Sequence, residues 1–155
     1  MNKATDPAAL LESALIDALG AECLLGEDAK TLFSTDVYGG AIAPALVVRP
    51  QTQEQVADAV RIATTAGWAI TQRGGGMSYT GGYLPTQTST VMLDLSALNR
   101  IISISDEDLV ITVEAGVTWQ QIWEALTPRG LRLPFFGTFP NKRLANNSKD
   151  ASAPS

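Results

Sequence analysis

Arg73-Gly-Gly-Gly-Met-Ser-Tyr-Thr-Gly-Gly82 carries five glycines in ten residues, with Ser78 and Thr80 set among them. The apolar segment Trp68 to Thr71 leads into it, and a strand-like Val91-Met92-Leu93-Asp94-Leu95 follows. Glycine lets backbone approach a ligand closely and reaches positive φ without a steric penalty. Successive backbone N–H groups can then converge into an anion-binding concavity, and the Ser and Thr hydroxyls add donors. The stretch reads as a cradle for a phosphate or pyrophosphate. The plainer alternative is a flexible glycine-rich surface loop. The embedded hydroxyls, the preceding Arg73 and the strands on both sides favour the cradle.

Two better-known glycine motifs do not fit. The dinucleotide fingerprint G-x-G-x-x-G fails because Tyr79 stands where the third glycine is needed after Gly74 and Gly76. The phosphate-loop pattern G-x-x-x-x-G-K-[ST] has its glycine spacing from Gly76 to Gly81, but Gly82 replaces the lysine. No helical pattern follows, so no helix N-terminus is on hand for the phosphates.

Upstream, Pro7 to Leu19 predicts a helix with Leu11, Ala14, Leu15 and Ala18 on one face and Gly20 as its stop. Leu46-Val47-Val48 predicts a short buried strand, and Thr52-x-x-Gln55 a capping box opening a helix to about Ala66. Val56, Ala59, Val60 and Ala63 share one face of that helix. Trp68 to Gln72 predicts a second strand, giving a β-α-β unit with a right-handed crossover between parallel strands. Downstream, Val91-x-Leu93-x-Leu95 alternates. Ile101 to Ile104 and Leu109 to Val113 flank the acidic turn Ser105-Asp106-Glu107-Asp108 as an antiparallel hairpin. Thr118-x-x-Gln121 is a second capping box, and Trp119, Ile122, Trp123 and Leu126 form a helical stripe closed by Gly130. At that spacing the two tryptophans read as core rather than as a stacking platform. Leu131 to Pro134 suggests a further strand. The acidic turn reads as solvated rather than as a cation site, since a calcium loop needs more ligands at other spacings. The fold class is α+β: a β-α-β unit, then a mainly antiparallel sheet with a flanking helix.

Composition narrows the chemistry. A net charge of −5 argues against a nucleic-acid or anionic-membrane surface. Cys23 is the one cysteine, so no internal disulfide forms and a reducing cytoplasm is the expected compartment. No signal-peptide pattern opens the chain, and no run of roughly 18 apolar residues exists to span a membrane. The chain has no histidine. That excludes Ser-His-Asp and Cys-His mechanisms within it and removes the commonest metal ligand. No metal site is expected, and no catalytic residue is identified.

These elements, in this order, resemble the N-terminal part of the FAD-binding domain of the vanillyl-alcohol oxidase/PCMH-type flavoproteins. Within that superfamily the likeness is to the glycolate oxidase and D-lactate dehydrogenase branch of FAD-linked oxidases. The residues that carry the resemblance are Pro44-Ala-Leu-Val-Val-Arg-Pro50, the helix from Thr52 and the loop from Arg73 to Gly82. Val91-Met-Leu-Asp-Leu-Ser-Ala-Leu-Asn-Arg-Ile101 and Val113-Glu-Ala-Gly-Val-Thr-Trp119 complete them, and the likeness runs from about Phe33 to Thr138.

The resemblance implies FAD as cofactor, its pyrophosphate on Gly74, Gly75, Gly76, Met77, Ser78, Thr80, Gly81 and Gly82. Arg73 either contacts the cofactor or is a solvated strand-end arginine. The turn Ala115-Gly116-Val117 lies where the family approaches FAD, and Pro134 to Thr138 matches a segment running towards the flavin ring. Some members attach FAD through a histidine just after the glycines. Here Met77 holds that place, so FAD is expected to be non-covalent. The implied reaction is hydride transfer from a 2-hydroxy acid, or another alcohol, to the flavin. Cytoplasmic location is the expectation, with peripheral membrane association left open for a full-length enzyme.

The reading divides the chain into an N-terminal helical segment over residues 1–32, a partial PCMH-type FAD-binding domain over 33–139, and a polar tail over 140–155 expected to be disordered. The family's second glycine-rich segment and substrate domain have no counterpart here. The chain therefore reads as truncated and inactive alone. Two alternatives stay open: a non-enzymatic nucleotide-binding fragment, and a flavin reductase of the cell-wall precursor type on the same fold.

Overall fold

The computed structural model describes residues 6–35, 39–40, 42–75, 78 and 80–134. The first helix, α1 (Pro7–Leu19), starts where the Asp6 carboxylate accepts from the Ala8 amide at 3.0 Å and Pro7 supplies a preset φ. It stops at Gly20, whose φ is +94°. Its buried stripe is Leu11, Leu15 and Leu19, one turn apart, while Ala14 and Ala18 face outward. The larger side chains win the inward face because they remove more apolar area from water.

A 3-10 turn, Ala21–Cys23, leads to the short strand β1 (Leu24–Leu25), then to α2 (Glu27–Leu32). The strand β2 (Leu46–Val48) lies buried between Pro44 and Pro50. It is followed by α3 (Gln53–Thr65), β3 (Ala69–Arg73) and β4 (Thr90–Asp94). Thr52 caps α3 by accepting from the Gln55 amide at 3.2 Å. The expected reciprocal half of the box is absent. The Gln55 side chain instead accepts from the Gln51 amide at 2.7 Å and donates to the Leu19 carbonyl at 3.0 Å, tying the start of α3 to the end of α1.

The four strands form one sheet in the order β1-β2-β4-β3. β2 and β3 are each parallel to β4, and β1 is antiparallel to β2. β2 and β3 run parallel, as the β-α-β reading expects, with β4 lying between them. All five residues of β4 are buried, whereas β3 is only partly so. Val91 and Leu93 join α1 and α3 on one face; Met92 joins Phe33, Val47 and Tyr83 on the other. A strand apolar on both faces belongs in the middle of a sheet. Its alternation-like pattern is a continuous buried run, not a half-solvated strand.

The antiparallel part is a separate two-stranded hairpin of β5 (Ile101–Ser105) and β6 (Val110–Val113). Its acidic turn is exposed, with Ser105 bonded to Asp108 and Arg129 paired with Asp106 at 2.8 Å. The last helix, α4 (Trp119–Leu126), shows the full capping box between Thr118 and Gln121. It buries Ile122 and Leu126, but Trp119 in its first turn remains 36% exposed and is not core. Leu131 to Pro134 forms no strand: the Leu131 amide bonds back to the Leu126 carbonyl at 3.2 Å, and β5 and β6 ladder only with each other. The tail expected from residue 140 lies outside the described residues.

Candidate cofactor-binding site

β3 delivers Arg73 and Gly74 to the sheet's carboxyl edge, beside the end of β4. There the loop meets the turn that follows β6. A Cβ built on Gly74 would lie 2.7 Å from the Ala115 carbonyl oxygen. On Gly116 it would strike the Leu95 carbonyl and come within 2.9 Å of both the Leu98 carbonyl and the Ser96 Cα. The Gly116 amide donates to the Leu98 carbonyl at 2.8 Å. The turn is thus wedged between the loop and the 3-10 turn Leu95–Ala97, which closes β4.

An ion pair holds the wedge from behind. Buried Glu114 accepts from the Arg100 amide at 2.8 Å and from its guanidinium at 2.6 and 3.0 Å. These bonds from the Arg100 side chain, and then from its amide, hold the Glu114 carboxyl below the usual carboxylate range. The same pairing raises Arg100.

Beyond the wedge the loop opens. A Cβ on Gly75 would meet no atom of the described residues within 4 Å. The amides of Thr80 and Gly82 converge on one atom, the Ser78 hydroxyl oxygen, at 3.3 and 3.2 Å. The sequence makes Ser78 a candidate donor to phosphate. Its oxygen here accepts two amides, while its own O–H can still donate. Gly81 sits at φ +66°, the left-handed conformation that favours glycine. The loop is pinned to the sheet by Thr71, whose hydroxyl donates to the Tyr83 carbonyl at 2.8 Å.

Arg73 is half-buried, its guanidinium carbon 4.5 Å from the centre of the Phe33 ring and 5.3 Å from that of Tyr83. Its Nε is enclosed and has no hydrogen-bond partner among the described residues. Asp94, its register neighbour on β4, is 3% exposed and already paired with Arg49 at 2.7 Å and with the Ser96 amide at 3.0 Å. The environment of Arg73 at the end of β3 is thus part aromatic and part solvent.

The structure therefore brings Arg73, Gly74, Gly75, Ser78, Thr80, Gly81, Gly82 and Gly116 to one edge. Gly76, Met77 and Thr138 lie outside the described residues. Pro134 lies elsewhere, lining an apolar cavity of about 90 Å³ with Ile104, Ile111, Leu126 and Leu131. Sequence reading missed Phe33 and Tyr83. Tyr83 directly follows Gly82 and was findable; Phe33 is distant in sequence and carries no local signal. Among the described residues no group of acidic or cysteine side chains could hold a metal ion. Nor is any helix there long and apolar enough to cross a membrane.

Open glycine, converging amides and an orphaned arginine N–H suit a negatively charged diphosphate. Residues 44–144 match the family described as the FAD binding domain. The mitochondrial D-lactate dehydrogenase [cytochrome] of Kluyveromyces lactis is 36% identical over 99 residues, 63% of this chain and 17% of that protein. A glycolate oxidase component from Bacillus subtilis is 30% identical over 91 residues, 59% of this chain and 19% of its own length. The crystal structure of p-cresol methylhydroxylase with substrate bound superposes with a TM-score of 0.70 at 28% identity, over 82% of this chain and 26% of that one. The chain thus spans about a fifth of the length of the curated relatives it matches.

Proposed function

The chain belongs to the FAD-binding domain family of oxidoreductases, and we propose that its loop after β3 holds the pyrophosphate of a non-covalently bound FAD. In this reading Arg73, Gly74, Gly75, Gly76, Met77, Ser78, Thr80, Gly81 and Gly82 surround the pyrophosphate. Gly116 lies beside the rest of the cofactor, whereas Pro134, which lines the separate apolar cavity, is not part of the site. The observation that carries it is the open space beside Gly75 together with the Ser78 hydroxyl, which gathers the Thr80 and Gly82 amides and keeps its own O–H to donate. Each hydrogen bond to a charged oxygen is worth roughly 1.5–3 kcal/mol, so a few amides supply much of an affinity.

When bound, FAD would supply hydride acceptance at its flavin ring. The protein's part is to bind and orient. The wedge of Gly74 against Ala115 fixes where the loop starts, and Gly81 turns the chain so that its neighbours' amides face inward. With no histidine, and with Cys23 buried behind the sheet, this chain offers neither an imidazole nor an accessible thiol to bond the flavin covalently. For the whole protein we propose oxidation of a 2-hydroxy acid, or another alcohol, by hydride transfer, on the likeness to the lactate and glycolate enzymes.

The test is a fluorescence titration of the chain with FAD, followed by acid precipitation and a dye-reduction assay with D-lactate and glycolate. Saturable binding with all flavin released into the supernatant is expected. No residue of this chain is assigned to the substrate, so no dye reduction by the chain alone is expected. Absence of FAD binding would overturn the cradle, and flavin retained in the pellet would overturn non-covalent attachment.

A further inference from the structure

Five basic side chains among the described residues, Lys30, Arg49, Arg61, Arg100 and Arg129, each face a carboxylate. Arg73 does not. Its register neighbour Asp94 is committed to Arg49. What surrounds it is aromatic: Phe33 at 4.5 Å and Tyr83 at 5.3 Å. Ring faces attract a guanidinium but offer its five N–H groups no oxygen. A partly buried cation left in that state is costly unless an anion completes it.

The rings are themselves held. Phe33 is buried, and the Tyr83 hydroxyl donates to the Thr35 carbonyl at 3.2 Å while Thr71 binds the Tyr83 carbonyl. Tyr83 also belongs to the loop whose Thr80 and Gly82 amides converge. A guanidinium fixed before the ligand arrives loses little freedom on binding it.

We infer that Phe33 and Tyr83 are positioning residues that hold the Arg73 guanidinium as the group by which this loop selects a diphosphate. The inference rests on the cradle reading of the loop and adds how the site tells phosphate-bearing ligands from neutral ones. Phe33 acts through Arg73 and touches no ligand.

The experiment titrates the chain and its variants with FAD, ADP and riboflavin, which lacks the diphosphate, at several salt concentrations. Arg73→Gln is expected to weaken FAD and ADP by about tenfold or more, to flatten their salt dependence and to leave riboflavin unchanged. Phe33→Leu is expected to weaken the same two ligands by about threefold. In an Arg73→Gln background it should cost nothing further, since coupled residues are non-additive. Arg73→Lys, which keeps the charge but not the planar stack, should fall between parent and Arg73→Gln. Should Arg73→Gln fail to fold, Arg73→Lys and Phe33→Leu carry the test. A parent that binds ADP while Arg73→Gln binds it equally well overturns this inference alone, as does simple additivity of the two losses. A parent that binds neither FAD nor ADP overturns the cradle and this inference together.

Discussion

Where the end of β3 meets the turn after β6, glycine is enclosed by protein. Gly74 has the Ala115 carbonyl over it, and Gly116 is ringed by backbone atoms of Leu95, Ser96 and Leu98. One residue further along the loop the situation reverses. Among the described residues nothing lies within 4 Å of a Cβ on Gly75, and only hydroxyl oxygens, at 3.7 and 3.8 Å, come near one on Gly82. In the wedge, a missing side chain lets two backbone segments touch, so glycine there serves the fold. In the open arc it leaves room for something that is not protein. Composition cannot separate the two kinds; what lies within 4 Å of the absent Cβ can.

The contrast breaks if a wedge glycine tolerates alanine. Gly116→Ala forces a methyl group onto backbone atoms that have no flexible end to yield, so a loss of about 3 kcal/mol is expected in urea unfolding. Gly74→Ala, with one carbonyl in the way, should lose about 1–2 kcal/mol. Unchanged midpoints in both variants would mean that the wedge is not tightly packed.

The ion pair behind the wedge sharpens the contrast through pH. The Glu114 carboxyl is held below its ordinary value by Arg100. A group whose folded pKa is lowered contributes stability that is fully present above the unfolded value, near 4.5, and is lost as pH falls through the folded value. Glu114→Gln should therefore lower the melting temperature at pH 7 and show a smaller further drop between pH 5 and about 3 than the parent does. Parallel acid profiles for the two proteins would contradict this.

The smallest expected effect lies away from the site, at Leu109. It is 75% exposed and sits in the hairpin turn at φ +55°, a conformation costly to a leucine. Leu109→Gly should stabilise by about 0.5–1 kcal/mol and leave FAD binding as it was. Destabilisation would mean that the Leu109 side chain contributes more packing than its exposure implies.

What the sequence could reveal followed from how local each cause was. Pro7 and Gly20 mark both ends of α1 through backbone conformation alone, so its bounds were legible. So were the hairpin and the capping box at Thr118, whose partners lie within a few residues. Strand order was not. Nothing in Val91-Met92-Leu93 says that its neighbours are β2 and β3 until both of its faces are seen to be buried. Gln55 is drawn off its box by the Leu19 carbonyl, a tertiary pull invisible in the motif. The glycine loop was legible as a candidate site because its composition is unusual. The division of its glycines into packed and open was not, since Ala115, Leu95 and Leu98 approach from other segments. Phe33, forty residues from Arg73, had no periodic or motif signal at all.

The most direct measurement compares Gly75→Val with the parent chain in two readouts, urea unfolding and FAD titration. A Cβ at Gly75 meets no atom of the described residues within 4 Å, and the branched end of valine would fill the space assigned to the pyrophosphate. Stability within about 0.5 kcal/mol of the parent, together with loss of FAD binding, is the expected result. A folded Gly75→Val chain that binds FAD as tightly as the parent would contradict the assignment of the open arc to the cofactor.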